Sequence, residues 1–184
     1  MSTFTPSAIS SGSVPLLAPF FADVDTRGAG SSAVTYGADV VGGRSAFGVN
    51  WVDVGYFSAQ DDLLNDFQLV LVDRSDISTG DFDIQFNYGD ILWETGGASG
   101  GSGGFGGTSA VAGFSSGTGT FLQLDGSLEN GAFLAGGDHD LNDQNFVFEV
   151  RNGVVASPSP IPEPSQTIAL ASLLFGSVFG FRRR

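Results

Sequence analysis

The chain has 184 residues, with 20 aspartates and glutamates, seven arginines and no lysine, so its formal net charge is −13. This charge excludes binding to nucleic acid phosphates, which require a basic surface. The absence of cysteine excludes disulfides, thiolate catalysis and thiol-bound zinc. The length is sufficient for one domain with a hydrophobic core.

Apolar and alternating runs predict strands along the body of the chain, separated by turns rich in Gly, Asn and Asp. In chain order, the predicted strands span residues 34–36, 47–56, 67–72, 81–88, 91–93, 110–114, 121–124 and 146–150. The alternation slips between Trp51 and Val52, which predicts a bulge there. Since no segment of the body has a helical period, we predict an all-β fold with a β-sandwich-like domain over residues 1–150.

The strand from 81 to 88 has the clearest pattern. Its apolar side chains alternate with Asp81, Asp83, Gln85 and Asn87. This period of two predicts a half-buried antiparallel strand whose polar side chains face solvent. We therefore interpret Asp81 and Asp83 as solubilising acids that discourage aggregation at a sheet edge.

Residues 96–119 contain 11 glycines in 24 positions. The stretch 101–106 formally fits the dinucleotide pattern G-x-G-x-x-G, and 100–104 formally fits the G-x-S-x-G nucleophile pattern. We interpret both as chance matches, because the strand–helix context that each motif requires is missing. We expect this segment to be a flexible surface loop between strands.

Six short motifs follow one another through the body. They are residues 19–27 (PFFADVDTR), 46–57 (AFGVNWVDVGYF), 65–74 (NDFQLVLVDR), 80–88 (GDFDIQFNY), 91–96 (ILWETG) and 109–115 (SAVAGFS). In this order they resemble the NIDO domain, an extracellular module of nidogen, tectorin and some mucins. The resemblance covers about residues 15–135. It implies an extracellular β domain that mediates cell-matrix adhesion and has no catalytic residues.

An acidic turn is the best candidate for a cation site. Asp138, Asp140 and Asn142 occupy alternating positions, and Glu149 follows eleven residues after the first aspartate. This spacing mimics a calcium-binding loop, in which one tight turn supplies several oxygen ligands. The sixth position lacks the glycine that an EF-hand requires, so we favour a solvated acidic turn. Ca²⁺ is the one cofactor that the sequence suggests.

Other polar residues of the body are interpreted as structural. Asp23 and Asp25 form a second, weaker acidic pair, which we expect to shape a turn. His139 is the only histidine, and no serine elbow accompanies it to form a catalytic triad. Arg27 and Arg74 each have aspartates nearby in sequence, so we expect ion pairs rather than ligand contacts.

The end of the chain has the pattern of a sorting signal, whose characteristic residues are Pro162, Glu163, Pro164, Arg182, Arg183 and Arg184. The prolines keep the backbone extended and accessible to a processing enzyme. An apolar run from 167 to 181 is expected to enter a bilayer as a short helix, and the terminal arginines are expected to stay on the cytoplasmic side. The run has 15 residues, whereas a stable span needs roughly 20, so it predicts a temporary anchor.

This tail resembles the PEP-CTERM sorting signal of Gram-negative bacteria, which implies recognition and removal by a membrane-embedded exosortase. Residues 151–160 are then a linker, and residues 161–184 form the signal with its hydrophobic segment. The first six residues lack the basic, apolar and cleavage-site regions of a secretory signal. The strand that precedes NIDO domains is also missing, so we expect an N-terminal truncation through a misassigned start or an incomplete gene.

These features together predict a non-catalytic adhesion protein, exported by a Gram-negative bacterium. Its expected partners are an exosortase, the membrane through the C-terminal segment, and extracellular polysaccharide or other surface proteins. After processing we expect it at the cell surface or in the biofilm matrix. Two alternatives remain open: a secreted hydrolase that cleaves exopolysaccharide with Asp81 or Asp83, and a calcium-stabilised structural module.

Overall fold

The structure, a computed structural model, describes residues 5–155 and 159–160. This part of the chain is all-β, as predicted, with one turn of 3-10 helix at Gly97–Ser99 and no α-helix. The strands are β1 (Leu16–Phe21), β2 (Val24–Asp25), β3 (Thr35–Val41), β4 (Arg44–Tyr56), β5 (Gln60–Asp73), β6 (Phe82–Tyr88), β7 (Val111–Ser115), β8 (Phe121–Gln123), β9 (Asn145–Arg151), β10 (Val154–Val155) and β11 (Ser159–Pro160).

These strands form two sheets. The smaller sheet has the order β1-β7-β8, with both pairs antiparallel. The larger sheet has eight strands in the order β10-β9-β6-β5-β4-β2, with β11 also paired to β9 and β3 paired to β4. The chain divides into two compact units. The described residues of unit 1 are 5–34, 51–67 and 88–144, and those of unit 2 are 35–50, 68–87, 145–155 and 159–160.

Seven of the eight predicted strands overlap an observed strand, and the prediction for residues 91–93 is wrong. There the N–H groups of Leu92 and Trp93 donate to Asn65 Oδ1, at 2.7 and 3.1 Å, so a side chain takes the place of a neighbouring strand. Strand β1 is absent from the prediction because Pro19 weakens its signal. The two-residue strands have no periodicity to detect.

The backbone of β4 is irregular at Asp53, close to the predicted bulge, which itself stays a prediction. The φ angle of Asp53 is +51°, in the left-handed region that aspartate tolerates better than most residues. The N–H of Asp53 donates to the side chain of Asp66 on β5. The strand therefore continues from Arg44 to Tyr56, but its backbone departs from the extended conformation at this one position.

An aromatic cluster fills unit 1. The ring of Phe20 on β1 lies 5.3 Å from that of Phe67 on β5, 5.6 Å from that of Trp93 and 6.4 Å from that of Phe133. The last three side chains are fully buried. The indole N–H of Trp93 donates to the carbonyl of Val54 at 3.0 Å, so the ring is buried without an unpaired donor. Inside unit 1 these contacts join strands of different sheets.

The glycine-rich segment forms a loop of unit 1 that is exposed at Gly97, Gly100, Ser102, Gly103, Phe105 and Gly107. The predicted surface position is therefore confirmed for residues 96–108, and their flexibility stays a prediction. The carbonyl of Gly104 accepts the N–H groups of Glu94 and Thr95 at 2.9 and 3.0 Å. A Cβ at Gly104 would lie 2.8 Å from the Cβ of Trp93, and φ at this glycine is +89°. Glycine is therefore required here for close packing and backbone geometry, rather than for mobility.

Unit 2 contains a β-hairpin and a buried strand pair. β3 and β4 are joined at Gly42 and Gly43, whose φ values of +57° and +79° suit the primed turns that match strand twist. β6 pairs with β9, which places Ile84 directly opposite Phe148. The rings of Phe86 and Phe148 are 5.3 Å apart, and both side chains are fully buried. The apolar face predicted for β6 is thus confirmed.

Some predictions concern residues beyond the described ranges. The C-terminal hydrophobic helix and the sorting signal of residues 161–184 lie there. The segment predicted as a linker, 151–160, contains β10 and β11, and both pair with β9. Within the described ranges, no helix is long and apolar enough to cross a membrane.

Replacing Asn65 with alanine is expected to destabilise the protein by about 3 kcal/mol, because the N–H groups of Leu92 and Trp93 and the carbonyl of Trp93 lose their partner. Urea denaturation measures this change. The control is Asn130→Ala, which removes one exposed hydrogen bond to the N–H of Gly106 and is expected to cost about 1 kcal/mol or less. Equal losses in the two variants would contradict this role of Asn65.

Candidate binding surface

The acidic turn of unit 1 bonds mainly to itself and to the neighbouring chain. Asp140 Oδ1 accepts the backbone and side-chain N–H groups of Asn142 at 2.8 and 2.7 Å, and its Oδ2 accepts the N–H of Gly136 at 3.0 Å. Burial raises the pKa of Asp140, but these hydrogen bonds outweigh it and leave the pKa lowered. Asn142 Oδ1 accepts the N–H of Ile91 at 2.7 Å. The turn is therefore organised by hydrogen bonds within the protein.

The remaining residues of the predicted calcium site are Asp138 and Glu149. Glu149 is on β9 in unit 2, half-exposed and 3.6 Å from Arg151. Among the described residues, no group of three or more histidine and acidic side chains could hold a metal ion. Calcium binding by Asp138, Asp140, Asn142 and Glu149 stays a prediction.

Asp25 shapes a local turn, as expected, because its carboxylate accepts the N–H of Arg27 at 3.1 Å. Asp23 instead bonds to a segment that is 73 to 76 residues away in sequence. The carboxylate of Asp23 accepts the N–H groups of Gly96 and Ser99, at 2.7 and 3.2 Å. Asp25 accepts the N–H of Ala59 and pairs with its neighbouring arginine. The hydrogen bond from the Arg27 side chain holds the pKa of Asp25 well below its ordinary value. Its contribution to stability is therefore present above the pKa of an unfolded aspartate and is lost as the pH falls through the folded value.

Asp81 and Asp83 are not the solvent-facing acids that the alternation predicts. Their residues are only 3% and 6% exposed. Asp81 Oδ1 accepts the N–H of Asn152 at 2.8 Å. Asp83 Oδ2 lies 2.7 Å from Arg74 Nη1, and its Oδ1 lies 2.6 Å from Arg151 Nη2. The prediction is wrong because arginines from a turn and from β9 cover this end of the polar face.

Further along β6, side-chain amides continue this polar face onto the neighbouring strands. Gln68 Nε2 donates to Asn50 Oδ1 at 2.7 Å, and Asn87 Nδ2 donates to Gln68 Oε1 at 2.7 Å. Each side chain comes from a different strand of unit 2, so this chain of hydrogen bonds runs across β4, β5 and β6. Alternating polar residues in these strands therefore do not all face solvent, because some of them bond to polar side chains of the neighbouring strands.

Glu94 is a structural residue that the sequence does not reveal. It is fully buried in unit 1, and its carboxylate accepts the N–H groups of Gly131 and Phe133 at 2.6 and 2.7 Å. Burial raises the pKa of Glu94, and the two hydrogen bonds oppose that rise. The glutamate stands alone between apolar and small residues, so no spacing signals its role.

Every described arginine is paired with an acid. Arg27 pairs with Asp25, Arg44 and Arg74 pair with Asp76, and Arg74 and Arg151 share Asp83 as described above. The pairing expected for Arg27 and Arg74 is therefore confirmed. Because the chain has no lysine, the described part offers no unpaired arginine or lysine to an anionic ligand.

One exposed surface carries no charge. It is the side of the β3–β4 hairpin that we call the hairpin face, and it consists of Tyr36, Ala38, Val40, Ser45, Phe47 and Val49. These residues are directly opposed in register, as Tyr36 with Val49, Ala38 with Phe47 and Val40 with Ser45, so their side chains project from one side of the hairpin.

The aromatic rings of the hairpin face are open to solvent. Tyr36 is 75% exposed and Phe47 is 42% exposed. Their ring centroids lie 6.2 Å apart, and the ring planes are inclined by 40°. Val40 on the same face is 52% exposed. A cluster of exposed apolar side chains on a soluble domain marks a binding surface more often than an isolated one does.

Comparison with known proteins gives one match. The profile of the nidogen-like (NIDO) domain family matches residues 1–152. No curated protein and no solved structure matches the chain significantly. The family match extends over nearly all of the described residues and includes both units.

Replacing Asp83 with asparagine is expected to destabilise the protein by about 2–3 kcal/mol, because Arg74 and Arg151 lose their shared anionic partner. The control is Asp76→Asn, which removes an exposed acid that also contacts Arg74 and is expected to cost much less. Urea unfolding curves at neutral pH compare the two variants. If Asp83→Asn is as stable as the wild-type protein, the ion pairs are not structural.

Proposed function

Because the chain belongs to the nidogen-like domain family, an extracellular adhesion-type module, we propose that it is a non-catalytic adhesion protein of a bacterial cell surface. In this proposal it binds extracellular polysaccharide or neighbouring surface proteins in the biofilm matrix. The family match over residues 1–152 is the observation that carries the proposal.

The ion pairs and hydrogen bonds of the acidic residues support a binding role over hydrolysis. A glycosidase needs two carboxyl groups on opposite sides of a sugar-binding cleft. Asp83 instead contacts two arginines through its two oxygens, and Asp81 accepts a backbone N–H. Glu94 is fully buried and also accepts backbone N–H groups. These carboxylates therefore have structural partners that a hydrolytic role would have to displace.

We further propose that the C-terminal residues act as a PEP-CTERM-type sorting signal. The proposal rests on their sequence alone: Pro162-Glu163-Pro164, an apolar run of 15 residues and three terminal arginines. In this scheme the apolar run tethers the precursor to the inner membrane of a Gram-negative bacterium. An exosortase then removes the tail, and the domain is released to the surface or the matrix.

Retention on extracellular matrix tests the adhesion proposal. The full chain is incubated with matrix purified from a biofilm-forming, exosortase-containing bacterium, and bound protein is measured after washing at physiological salt. Retention above that of an unrelated acidic β protein of similar size is the expected result. No retention above this control would contradict the adhesion proposal.

Processing in such a bacterium tests the sorting proposal separately. The full chain is fused behind a secretory leader, and the mass of the product is measured in wild-type cells and in cells that lack the exosortase. Loss of the C-terminal segment is expected only where the enzyme is present, and replacing Pro162, Glu163 and Pro164 with alanine is expected to prevent it. An identical mass in both strains would exclude this signal.

A further inference from the structure

We propose that the hairpin face binds a neutral polysaccharide, with the rings of Tyr36 and Phe47 stacking against sugar rings. This inference rests on the proposed adhesive function and names the ligand class and the residues that make the contact. One face of a pyranose ring presents C–H bonds that carry a slight positive charge. Such a face packs on the negatively charged face of an aromatic ring.

The exposure of the two rings fits this contact. Tyr36 on β3 is three-quarters exposed, and Phe47 on β4 is about two-fifths exposed. Their centroid distance of 6.2 Å makes them neighbours, so adjacent sugars of one chain can lie across both. The hydroxyl groups of Tyr36 and Ser45 are available at the same face to hydrogen-bond to sugar hydroxyls.

Charge restricts the class of polysaccharide. The six residues of the hairpin face are uncharged in a chain whose net charge is −13. The nearest arginine in sequence, Arg44, is held by Asp76 at 2.9 Å. In the part of the chain that the structure describes, the other arginines are also paired with acids. An anionic polysaccharide would therefore meet repulsion without a compensating cation, whereas a neutral one would not.

Charge also disfavours the other occupants of an exposed sheet face. A second copy of this chain carries the same large negative charge, so the two copies repel each other. Addition of a foreign strand to the edge of β3 is opposed by Asp39, whose carboxylate accepts the N–H of Val40 at 2.8 Å. A charged residue on an edge strand is a common means of preventing strand addition.

Affinity electrophoresis tests the proposal with the full chain. The protein is run in native gels that contain hydroxyethyl cellulose, laminarin or dextran as neutral polysaccharides, or alginate as an anionic one. We expect retardation by at least one neutral polymer and none by alginate. In that neutral polymer, Tyr36→Ala and Phe47→Ala are each expected to weaken binding about tenfold, and Tyr36→Trp is expected to retain it.

Phe121→Ala is the matched control. Phe121 lies on β8 in unit 1 and is 45% exposed, close to the exposure of Phe47. Its replacement removes the same ring at a similar exposure and is expected to leave the retardation unchanged. Circular dichroism and urea unfolding confirm that each variant is folded; Tyr36, with its high exposure, is the position whose replacement disturbs the fold least.

Several results would overturn the proposal. These are retardation that survives in the Tyr36→Ala/Phe47→Ala double variant, retardation by alginate alone, and no retardation by any neutral polymer. A wild-type dimer that the double variant converts to a monomer in sedimentation experiments would assign the face to self-association instead. If the wild-type chain is retained on matrix but fails in these gels, the ligand class is wrong and the adhesive function stands.

Discussion

Several backbone N–H groups in the irregular segments of unit 1 donate to buried carboxylate and amide side chains, and others donate to backbone carbonyls of the loops. Asp23, Asn65 and Glu94 each accept two such N–H groups, in segments that follow β6 or β8. A buried N–H without an acceptor is costly, so these side chains allow the long connections to pack against the aromatic core. Asp23 holds the N-terminal end of the glycine-rich segment, which approaches Trp93 closely at Gly104.

In unit 2 the buried acid Asp83 forms ion pairs with arginine side chains. Asp83 joins an arginine of the β5–β6 turn to an arginine of β9, and the remaining described arginines are held by other aspartates. The acidic residues of this lysine-free chain thus have two roles. Buried carboxylates accept N–H groups and pair with arginines, and the exposed ones keep the surface negatively charged. The hairpin face brings two exposed rings together on a surface whose six residues are uncharged.

The sequence predicts the all-β class and most strands, since alternation in β4, β6 and β9 directly reflects burial on one face. It does not predict which polar residues are buried. Asp83 alternates like a solvent-facing residue, yet its partners Arg74 and Arg151 are separated from it by 9 and 68 positions. Asn65 shows the same limit, since it bonds to a segment 27 and 28 residues away. Composition predicts a surface loop for the glycine-rich segment, but it does not reveal that Gly104 is needed for close packing against Trp93. Nothing in the sequence pattern indicates that Tyr36 and Phe47 remain exposed while Tyr56, on the same strand as Phe47, is buried.

We propose that the buried acids have structural roles and that binding occurs on the hairpin face instead. Titration of the isotope-labelled full chain with a soluble neutral glucan, followed by amide chemical shifts in NMR spectra, tests this most directly. We expect the perturbed amides to concentrate in residues 35–49, with the acidic turn at 138–143 and the Asp83 region unaffected. Perturbations concentrated at either of those acidic regions, or the absence of any perturbation, would contradict it.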